Sequence, residues 1–339
     1  MRDAVKRLAR RESLTTEETA GAFREVMAGD ATPALVAALL VGLRVKGETA
    51  AELAGAAQAL RDAMTAIDAT DPEGLVDTCG TGGGTVTTFN ISTAAALVAA
   101  GAGARVAKHG NRSFRTRSGS ADVLEALGVA IDIPAARMLD VLHEAGIVFM
   151  FAPTMHPAMR HVGPVRGELG IETLMNMIGP LANPARAGRQ VVGVSDPARA
   201  DLMAGALATL GSVHALVVHG APGMDEVSPL GPTAVVEVQG GTVRRWEIDP
   251  AALGFTPFAE SELAGAGPQE NAAVIEAVLR GAGAPAAEAA VVLNASAALY
   301  TAGRVDSIAG GVAVAIESIR SGAAMHALER LRRATRAAG

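Results

Sequence analysis

Hydrophobic residues recur at helical spacing through the first seventy positions of the chain. Glu17 and Glu18 follow a threonine pair that is typical of a helix N-cap, and the apolar pattern then runs through "TAGAFREVMAG". Pro33 opens "PALVAALLVGLRVKG" and Glu48 opens "ETAAELAGAAQALRDAM", each with apolar residues three and four positions apart. No convincing strand pattern interrupts them. We therefore predict a compact group of helices for this segment.

From Leu75 the pattern changes to short apolar runs that alternate with helical stretches. The runs "LVDTCG", "ARVAKHG", "IVFMFAP", "RQVVGVS" and "HALVVHG" predict strands, and glycine-bearing junctions connect them to the helices. Such alternation predicts an α/β fold with a mainly parallel central sheet flanked by helices. The stretch "TAVVEVQGGTVRRWEID" predicts a β-hairpin about Gly240 and Gly241, and the chain from Gln269 onward is predicted to be helical.

The alternation lapses between Met155 and Pro184, where the pattern is again helical. We expect this piece to pack with the N-terminal helices, which makes the smaller all-helical domain discontinuous. The predicted division is a helical domain of residues 1–70 joined by about 155–185, and an α/β domain of residues 71–154 and 186–339.

Composition narrows the classes of function. The net charge of −6 argues against a protein that coats nucleic acid by neutralising its phosphates. The single cysteine, Cys79, excludes an intramolecular disulfide framework and a cysteine-based zinc cluster. The charged N-terminus lacks the apolar core of a signal peptide, and no apolar run reaches the roughly 18 residues of a membrane span. The expectation is a soluble cytoplasmic protein.

A glycine-rich turn after the first predicted strand, "CGTGGGTVTTFNIST", is the first candidate site. Backbone N–H groups and a helix dipole converge at such a turn and bind anions. The dinucleotide fingerprint fails because Thr85 stands where its third glycine belongs, and the chain has no Gly-Lys pair for a triphosphate loop. On the glycines alone, a tight turn without a ligand is an equal alternative. The polar tail of Thr88, Asn90, Ser92 and Thr93 exceeds what helix capping requires and favours ligand binding.

A basic loop follows the second predicted strand in "AKHGNRSFRTRSGSADVLEALG". Lys108, one of only three lysines, lies at the carboxyl end of that strand, where α/β sheets place ligands. Arg112, Arg115 and Arg117 add positive charge, and serines in the loop supply hydrogen-bond donors. We interpret the loop as a clamp for an anion; the alternative is a solvated surface loop with incidental charge.

Two further stretches carry candidate chemistry. Arg166 in "HPAMRHVGPVRGELGIETLMNMIGPLANP" suits a bidentate carboxylate contact, although an ordinary ion pair with Glu168 or Glu172 is an equal alternative from that segment alone. Asp225 and Glu226 lie in the Gly/Pro-flanked stretch "GAPGMDEVSP" and suit Mg²⁺ held together with phosphate oxygens and water. The alternative for this pair is a helix N-terminus with favourable acids.

These stretches, in this order, resemble the anthranilate phosphoribosyltransferase family. The shared motifs are "GTGG…TFNIST", "KHGNRS", "GSADVLEALG", "HPAMRHVGPVRGELGIETLMNMIGPLANP" and "DE", and the resemblance runs over nearly the whole chain. It implies a small helical domain beside a larger α/β domain, and a homodimer through the helical part. It also implies transfer of phosphoribose from phosphoribosyl pyrophosphate to the amine of anthranilate in tryptophan biosynthesis, with release of pyrophosphate and a requirement for Mg²⁺.

The resemblance assigns roles to residues of the shared motifs. The implied catalytic residues are Lys108, Asn111 and Arg166. The implied contacts to phosphoribosyl pyrophosphate are Gly80, Gly83, Gly84, Thr88, Asn90, Ile91, Ser92, Thr93, Lys108, His109, Gly110, Asn111, Arg112, Ser113, Thr116 and Ser120. The implied anthranilate contacts are Gly80, His109, Asn111 and Arg166, and the implied magnesium ligands are Ser92, Asp225 and Glu226. Small molecules, rather than nucleic acid or a membrane, are therefore the expected partners.

One position departs from the family's pattern. The family usually has Gly-Thr-Gly-Gly-Asp-Gly in its glycine loop, and here Gly84 and Thr85 replace the Asp-Gly pair. Our hypothesis is that the loop binds through its backbone and the hydroxyl of Thr85 or Thr87, with an altered Mg²⁺ dependence.

Two alternatives stay open. A nucleoside phosphorylase of the same architecture would bind phosphate and a pyrimidine nucleoside, but it should show a different glycine-rich segment after its Lys-His pair. A non-catalytic paralogue that binds nucleic acid would use the basic loop and the N-terminal arginines. The acidic net charge and the Asp225–Glu226 pair argue against the second alternative.

Overall fold

The computed structural model describes residues 1–113, 117–256 and 258–338. Its helices are α1 (Arg2–Ala9), α2 (Thr16–Ala28), α3 (Pro33–Lys46), α4 (Ala50–Asp62), α5 (Ile91–Gly101), α6 (Ser120–Ala126), α7 (Ala135–Ala145), α8 (Ala152–Met155), α9 (Gly163–Leu169), α10 (Ala200–Thr209), α11 (Pro268–Leu279), α12 (Pro285–Thr301), α13 (Ile308–Arg320) and α14 (Ala323–Ala338). Its strands are β1 (Leu75–Gly80), β2 (Arg105–Gly110), β3 (Ile147–Phe151), β4 (Arg189–Gly193), β5 (His214–Gly220), β6 (Thr233–Gln239) and β7 (Thr242–Ile248).

The N-terminal helices begin where side chains satisfy their free N–H groups. Thr15 caps α2 and Thr49 caps α4, and in each helix a glutamate three residues later accepts the N–H of the capping threonine. The glutamate of α4, Glu52, is fully buried and also accepts from Lys46 Nζ at 2.9 Å. This bond ties the end of α3 to the start of α4.

Within the described residues the strands form one sheet in the order β3-β2-β1-β4-β5-β6-β7. Strands β1 to β5 are parallel, whereas β6 and β7 are antiparallel additions at one edge. The strand order changes direction between β1 and β4, which makes a topological switch point at the carboxyl ends of these strands. The predicted α/β class, the mainly parallel sheet and the hairpin about Gly240 and Gly241 are confirmed.

Helices cover both faces of the sheet. On one face, α5, α7, α12, α13 and α14 share a core with β1, β2 and β3 that includes Leu97 and Leu328. On the other face, α4 and α10 pack through Leu53 and Met203 against valines of β4, β5 and β6. The result is a three-layer arrangement, which leaves the carboxyl edge of the parallel strands for the site.

The segment after β3 returns to the N-terminal helices. Helix α9 packs on α3, and a 3₁₀ turn at Pro157–His161 packs on α2. The Thr65 N–H donates to the Met155 carbonyl at 2.8 Å and the Ile67 N–H donates to the Pro184 carbonyl at 3.0 Å. The division into two domains at about residues 70, 155 and 185 stays a prediction.

No single helix in the described ranges is long and apolar enough to cross a membrane. Helices α13 and α14 pass that test only as a pair, and they are bent by 66° at the break between them. Both helices contribute buried side chains to the core, among them Ile319 and Leu331.

A buried carboxylate, Glu237 of β6, organises the hairpin edge of the sheet. Its oxygens accept from Arg244 Nε at 2.7 Å, from Trp246 Nε1 at 2.6 Å and from the Tyr300 hydroxyl at 3.0 Å. His214 Nε2 lies 2.7 Å from the same carboxylate. Trp246 and Tyr300 are the only tryptophan and tyrosine of the chain. This network provides a fluorescent reporter of the fold that lies outside the candidate site.

Candidate active site

The glycine loop after β1 folds over the carboxylate of Asp225. Gly82 and Gly83 have φ of 71° and 86°, a region that favours glycine. The Gly82 N–H donates to Asp225 Oδ2 at 3.0 Å. A Cβ on Gly80 would lie 2.7 Å from Asp225 Oδ2, and a Cβ on Gly84 would lie 3.1 Å from Asp225 Oδ1. The glycines thus allow the loop and the acidic turn to approach closely.

Thr85 joins the glycine loop to the turn that carries Asp225. Its N–H donates to the Gly223 carbonyl at 3.1 Å, and its hydroxyl lies 3.5 Å from the same oxygen. The Thr85 hydroxyl therefore has an acceptor within the protein, and the hypothesis that Thr85 or Thr87 contacts a ligand stays a prediction. Thr85 and Thr87 are both exposed.

Asn90 connects the glycine loop to two other elements. It lies at the N-cap of α5, but its side chain makes no capping bond. Asn90 Nδ2 donates to the Ser118 carbonyl at 3.0 Å, and Asn90 Oδ1 accepts from Asn271 Nδ2 of α11 at 3.1 Å. Asn271 was not predicted from the sequence, because no local pattern marks a contact 181 positions away.

The other residues of the polar tail divide between the site and the core. Ile91 and Thr93 are 0% and 1% exposed, so their side chains do not reach the site surface and only their backbone could contact a ligand. The buried Thr93 Oγ1 has no hydrogen-bond partner within the described chain. Ser92 is half-buried, and its Oγ accepts from Lys108 Nζ at 3.3 Å. Thr88 is half-buried beside it, in the loop that leads into α5.

Lys108 lies beneath the glycine loop rather than at its surface. The side chain is buried, and Nζ donates to the Thr78 carbonyl of β1 as well as to Ser92 Oγ. Burial lowers the pKa of Lys108, against the opposing effect of Asp77. Lys108 lies in β2 as predicted, and its ammonium group joins β1 to the start of α5; its catalytic role stays a prediction.

The arginine that opens the basic loop is already paired. Arg112 donates to Asp122 Oδ1 at 2.8 Å and to Glu125 of α6, and its guanidinium carbon lies 5.5 Å from the centre of the Phe151 ring. Its charge is therefore balanced by α6 in this conformation, and its contact with phosphoribosyl pyrophosphate stays a prediction. Arg117 is exposed.

The rest of the basic loop is held by backbone contacts. The Asn111 carbonyl accepts from Ser120 Oγ at 3.3 Å, and the Ser113 N–H donates to Asp122 Oδ2 at 3.3 Å. A Cβ on Gly110 would lie 2.2 Å from Ser120 Oγ, so glycine is required where β2 meets α6. The predicted contact at Thr116, like Arg115, lies outside the described residues.

Two buried histidines form a chain of hydrogen bonds beside the site. His109 Nδ1 lies 3.2 Å from the Gly179 carbonyl, and His109 Nε2 lies 3.1 Å from His156 Nε2. Because a carbonyl only accepts, we assign the proton of neutral His109 to Nδ1, so His156 Nε2 donates to His109. Burial lowers the pKa of His109 to about 3 and that of His156 to about 4. Both rings are therefore neutral near pH 7.

We expect the free energy of unfolding to fall less at acid pH in His156→Gln than in the wild type. A histidine held neutral stabilises the native state above its unfolded pKa near 6.5, and this stabilisation is lost as the pH falls toward about 4. The wild-type free energy of unfolding should drop by about 2–3 kcal/mol more than that of the variant between pH 7 and pH 4. Urea denaturation followed by Trp246 fluorescence measures it. His143→Gln, at an exposed histidine, is the control; equal pH dependence in all three proteins would contradict the prediction.

Arg166 lies half-buried on α9 without a carboxylate partner in the described part of the chain. Glu172, one of its predicted alternatives, pairs with Arg199 at 2.9 Å. Burial lowers the pKa of Arg166, which indicates a guanidinium that is partly removed from water. The ion pair with Glu168 or Glu172 is not found among the described residues. A partly desolvated, unpaired guanidinium is suited to a carboxylate ligand.

Asp225 and Glu226 lie in the turn between β5 and β6. No helix begins there, so the alternative of a helix N-terminus is wrong. Burial and then the neighbouring Asp225 raise the pKa of Glu226 to about 8, and burial also raises the pKa of Asp225. With Ser92 Oγ nearby, the donors are hard oxygens, which fits Mg²⁺ shared with phosphate and water. The described residues contain no group of three or more His, Cys, Asp or Glu that could hold a metal by themselves.

Comparison with known proteins agrees with this geometry. The family model "Glycosyl transferase family, helical bundle domain" matches residues 2–64, and "Glycosyl transferase family, a/b domain" matches residues 72–325. An anthranilate phosphoribosyltransferase from Roseiflexus castenholzii is 50% identical over 332 residues, which covers 98% of this chain and 97% of that protein. The chain belongs to the anthranilate phosphoribosyltransferase family.

Solved structures of the anthranilate phosphoribosyltransferase family share the whole fold. The crystal structure from Thermus thermophilus is 44% identical, with a TM-score of 0.93 over 98% of this chain and 99% of that one. The Saccharomyces cerevisiae enzyme in complex with PRPP and Mg is 28% identical, with a TM-score of 0.90 over 99% and 97%. The same yeast enzyme in complex with 4-fluoroanthranilate has 27% identity and a TM-score of 0.88 over the same shares.

The position of Gly84 gives the departure from the anthranilate phosphoribosyltransferase pattern a testable consequence. An aspartate at position 84 would add a third carboxylate to those of Asp225 and Glu226. The Cβ of residue 84 would lie 3.1 Å from Asp225 Oδ1. We expect Gly84→Asp to lower the half-saturating Mg²⁺ concentration about three- to tenfold, because an additional hard-oxygen ligand strengthens cation binding. Activity titrated with Mg²⁺ measures it, with Gly84→Asn as the uncharged control of similar size. An unchanged Mg²⁺ profile in Gly84→Asp would contradict the hypothesis.

Proposed function

We propose that the chain catalyses the transfer of phosphoribose from phosphoribosyl pyrophosphate to the amine of anthranilate in tryptophan biosynthesis, with release of pyrophosphate. The observation that carries this proposal is the meeting of the glycine loop and the Asp225–Glu226 turn at the switch point of the sheet, where the Gly82 N–H contacts Asp225. The solved yeast relatives that bind PRPP, Mg and 4-fluoroanthranilate support the choice of substrates.

The anion side of the site is suited to a departing pyrophosphate. The loop leads into the start of α5, where the helix dipole favours negative charge. Ser92, Asp225 and Glu226 would hold Mg²⁺, which when bound supplies charge neutralisation for the leaving group. Lys108 adds a buried positive charge beneath the same loop. These groups would stabilise the negative charge that develops on pyrophosphate as the C1–O bond breaks ahead of attack, in an oxocarbenium-like transition state.

The amine side of the site requires positioning more than proton transfer. An aromatic amine is unprotonated near neutral pH, so a strong general base is not needed. Arg166 would bind the anthranilate carboxylate, and the neutral His109–His156 pair lies where β2 ends. Asn111 follows directly in the same loop. Holding the amine against C1 in the correct orientation then contributes to the rate enhancement.

One assay tests the proposal. Purified protein with phosphoribosyl pyrophosphate and Mg²⁺ should consume anthranilate, seen as loss of its fluorescence, and EDTA should stop the reaction. Phosphate with a pyrimidine nucleoside should give no turnover, which separates the enzyme from a nucleoside phosphorylase. Absence of anthranilate turnover over a wide range of Mg²⁺ concentrations would overturn the proposal. Salt-sensitive retention on heparin would instead favour a nucleic-acid-binding protein.

A homodimer through the helical domain and a cytoplasmic location are also part of the proposal. The dimer is supported by the family pattern, and Val45 at the end of α3, which is 67% exposed, is the position chosen to test it. Val45→Glu should weaken the dimer in analytical ultracentrifugation, and a monomeric wild type would contradict it. The cytoplasm is proposed because both substrates are charged and do not cross a lipid bilayer unaided.

A further inference from the structure

Two buried polar residues, Asp77 and Asn183, lie where the backbone pairing between strands β1 and β2 ends. The paired positions between these two strands end at Val76 and Val106. Each strand nevertheless stays paired on its other side up to its last residue, β1 with β4 and β2 with β3. The backbone pairing between β1 and β2 therefore ends before the carboxyl edge, directly under the candidate site, although the two strands stay side by side; we call this interruption of the pairing the opening.

Asp77 and Asn183 satisfy backbone groups that a continuous strand pairing would have satisfied. Asp77 Oδ1 accepts the His109 N–H at 3.2 Å, and Asp77 Oδ2 accepts from Asn183 Nδ2 at 2.8 Å. Asn183 Nδ2 also donates to the Ala107 carbonyl at 2.8 Å, while Asn183 Oδ1 accepts the Ala185 N–H at 2.9 Å. Asp77 and Asn183 are 0% and 1% exposed. The two side chains thus bridge β1, β2 and the segment after α9.

Burying these two polar side chains inside the sheet costs free energy. Burial raises the pKa of Asp77 to about 6, even though Lys108, Asn183 and the His109 N–H favour its charged form. On the opposite face, Lys108 Nζ donates to the carbonyl of Thr78, which a regular ladder would also have paired. Buried polar groups that break local rules are concentrated at functional sites. The opening is therefore more than a packing detail.

The opening joins the two halves of the candidate site. Beyond it, β1 continues into the glycine loop and β2 continues into His109 and Asn111. Asn183 follows the Gly179–Leu181 turn, and the Gly179 carbonyl meets His109 Nδ1 at 3.2 Å. We propose that Asp77 and Asn183 are positioning residues that set the distance between the glycine loop and the His109–Asn111 segment. This inference rests on the proposed transfer reaction.

A carboxylate is required at position 77. Two donors, the His109 N–H and Asn183 Nδ2, converge on it, so both of its oxygens must accept. Asn183 cannot reverse its amide, because its Oδ1 accepts the Ala185 N–H and its Nδ2 donates to the Ala107 carbonyl. Asp77→Asn would therefore place an amide N–H against another donor and push the strands into a new spacing.

The kinetic test uses Asp77→Asn and Asn183→Ala, measured with both substrates. Each variant should lower kcat at least about tenfold and change each KM less than about threefold, because both half-sites persist while their alignment is lost. Asn183→Ala removes hydrogen bonds without placing two donors against each other, so its kinetics test the proposal if Asp77→Asn does not fold. A kcat within twofold of wild type would overturn the proposal. A loss confined to the KM of one substrate would overturn it too.

Hydrogen exchange gives a readout that does not depend on activity. Exchange of the His109 N–H in Asp77→Asn, and of the Ala185 N–H in Asn183→Ala, should speed up at least about tenfold, because each N–H loses the side-chain oxygen that accepts it. Glu237→Gln, at a buried carboxylate outside the site, is the control and should lower the melting temperature without changing kcat. An equal loss of kcat in this control would mean that lower stability accounts for the loss in Asp77→Asn and Asn183→Ala, and would overturn the proposal. If the wild type shows no turnover, the proposed function fails, and unchanged exchange would separately refute the positioning role.

Discussion

Glu226→Gln is expected to lower kcat/KM by about 100- to 1,000-fold, the range seen when one charge-stabilising group is removed from a transition state. Glu226 and Asp225 are the acidic members of the candidate magnesium set, and burial together with Asp225 raises the pKa of Glu226 to about 8. A buried carboxylate of this kind is stabilised when a divalent cation binds. The glutamine has the same shape and cannot supply that charge. Steady-state kinetics at saturating Mg²⁺ measures the loss.

Thermal denaturation separates a lost metal site from a lost fold. The wild type should gain melting temperature when Mg²⁺ and phosphoribosyl pyrophosphate are added together, because ligands that bind only the native state stabilise it. Glu226→Gln should keep its fold and lose most of that gain. Glu237→Gln should melt lower than wild type but keep the gain, since its carboxylate bonds to Trp246 and Tyr300 outside the site. Activity of Glu226→Gln within threefold of wild type would contradict the assignment.

The sequence predicted those parts of the site that follow from local order along the chain. A strand, a glycine turn and a helix start are adjacent in sequence, so the loop at Gly80–Gly84 and the start of α5 could be placed without tertiary information. The same is true of Asp225 and Glu226 after β5. The mainly parallel sheet followed from strand–helix alternation, because parallel strands need crossover helices.

Side-chain direction and distant contacts could not be predicted in the same way. The position of Lys108 at a strand end was visible, but its inward direction depends on the opening between β1 and β2. Asp77 and Asn183 are 106 positions apart, and Asn90 and Asn271 are 181 apart. The sequence could have predicted the pairing of Arg112 with acids of α6, because Asp122 lies in the first turn of the helix that directly follows the loop of Arg112.

Arg166→Ala is expected to raise the KM for anthranilate about 10- to 100-fold, since charged hydrogen bonds contribute about 1.5–3 kcal/mol and about 1.4 kcal/mol corresponds to tenfold. Arg166 is half-buried and has no ion-pair partner among the described residues, so its removal breaks no ion pair of the described chain. The KM for phosphoribosyl pyrophosphate should stay within about threefold, because the glycine loop is untouched. The KM of Arg166→Lys for anthranilate should lie between those of the wild type and Arg166→Ala, because lysine keeps the charge without the bidentate geometry.

Two controls make the Arg166 prediction specific to the substrate carboxylate. Arg160→Ala removes an exposed arginine from the turn before α9 and should leave both KM values unchanged. Aniline, which has the amine but no carboxylate, should be a poor substrate for wild type and for Arg166→Ala to the same extent, because the missing contact is already absent. If Arg166→Ala slows aniline as much as anthranilate, the arginine acts on the fold or on the reaction itself. A rise in the KM for phosphoribosyl pyrophosphate alone would place Arg166 on the other side of the site.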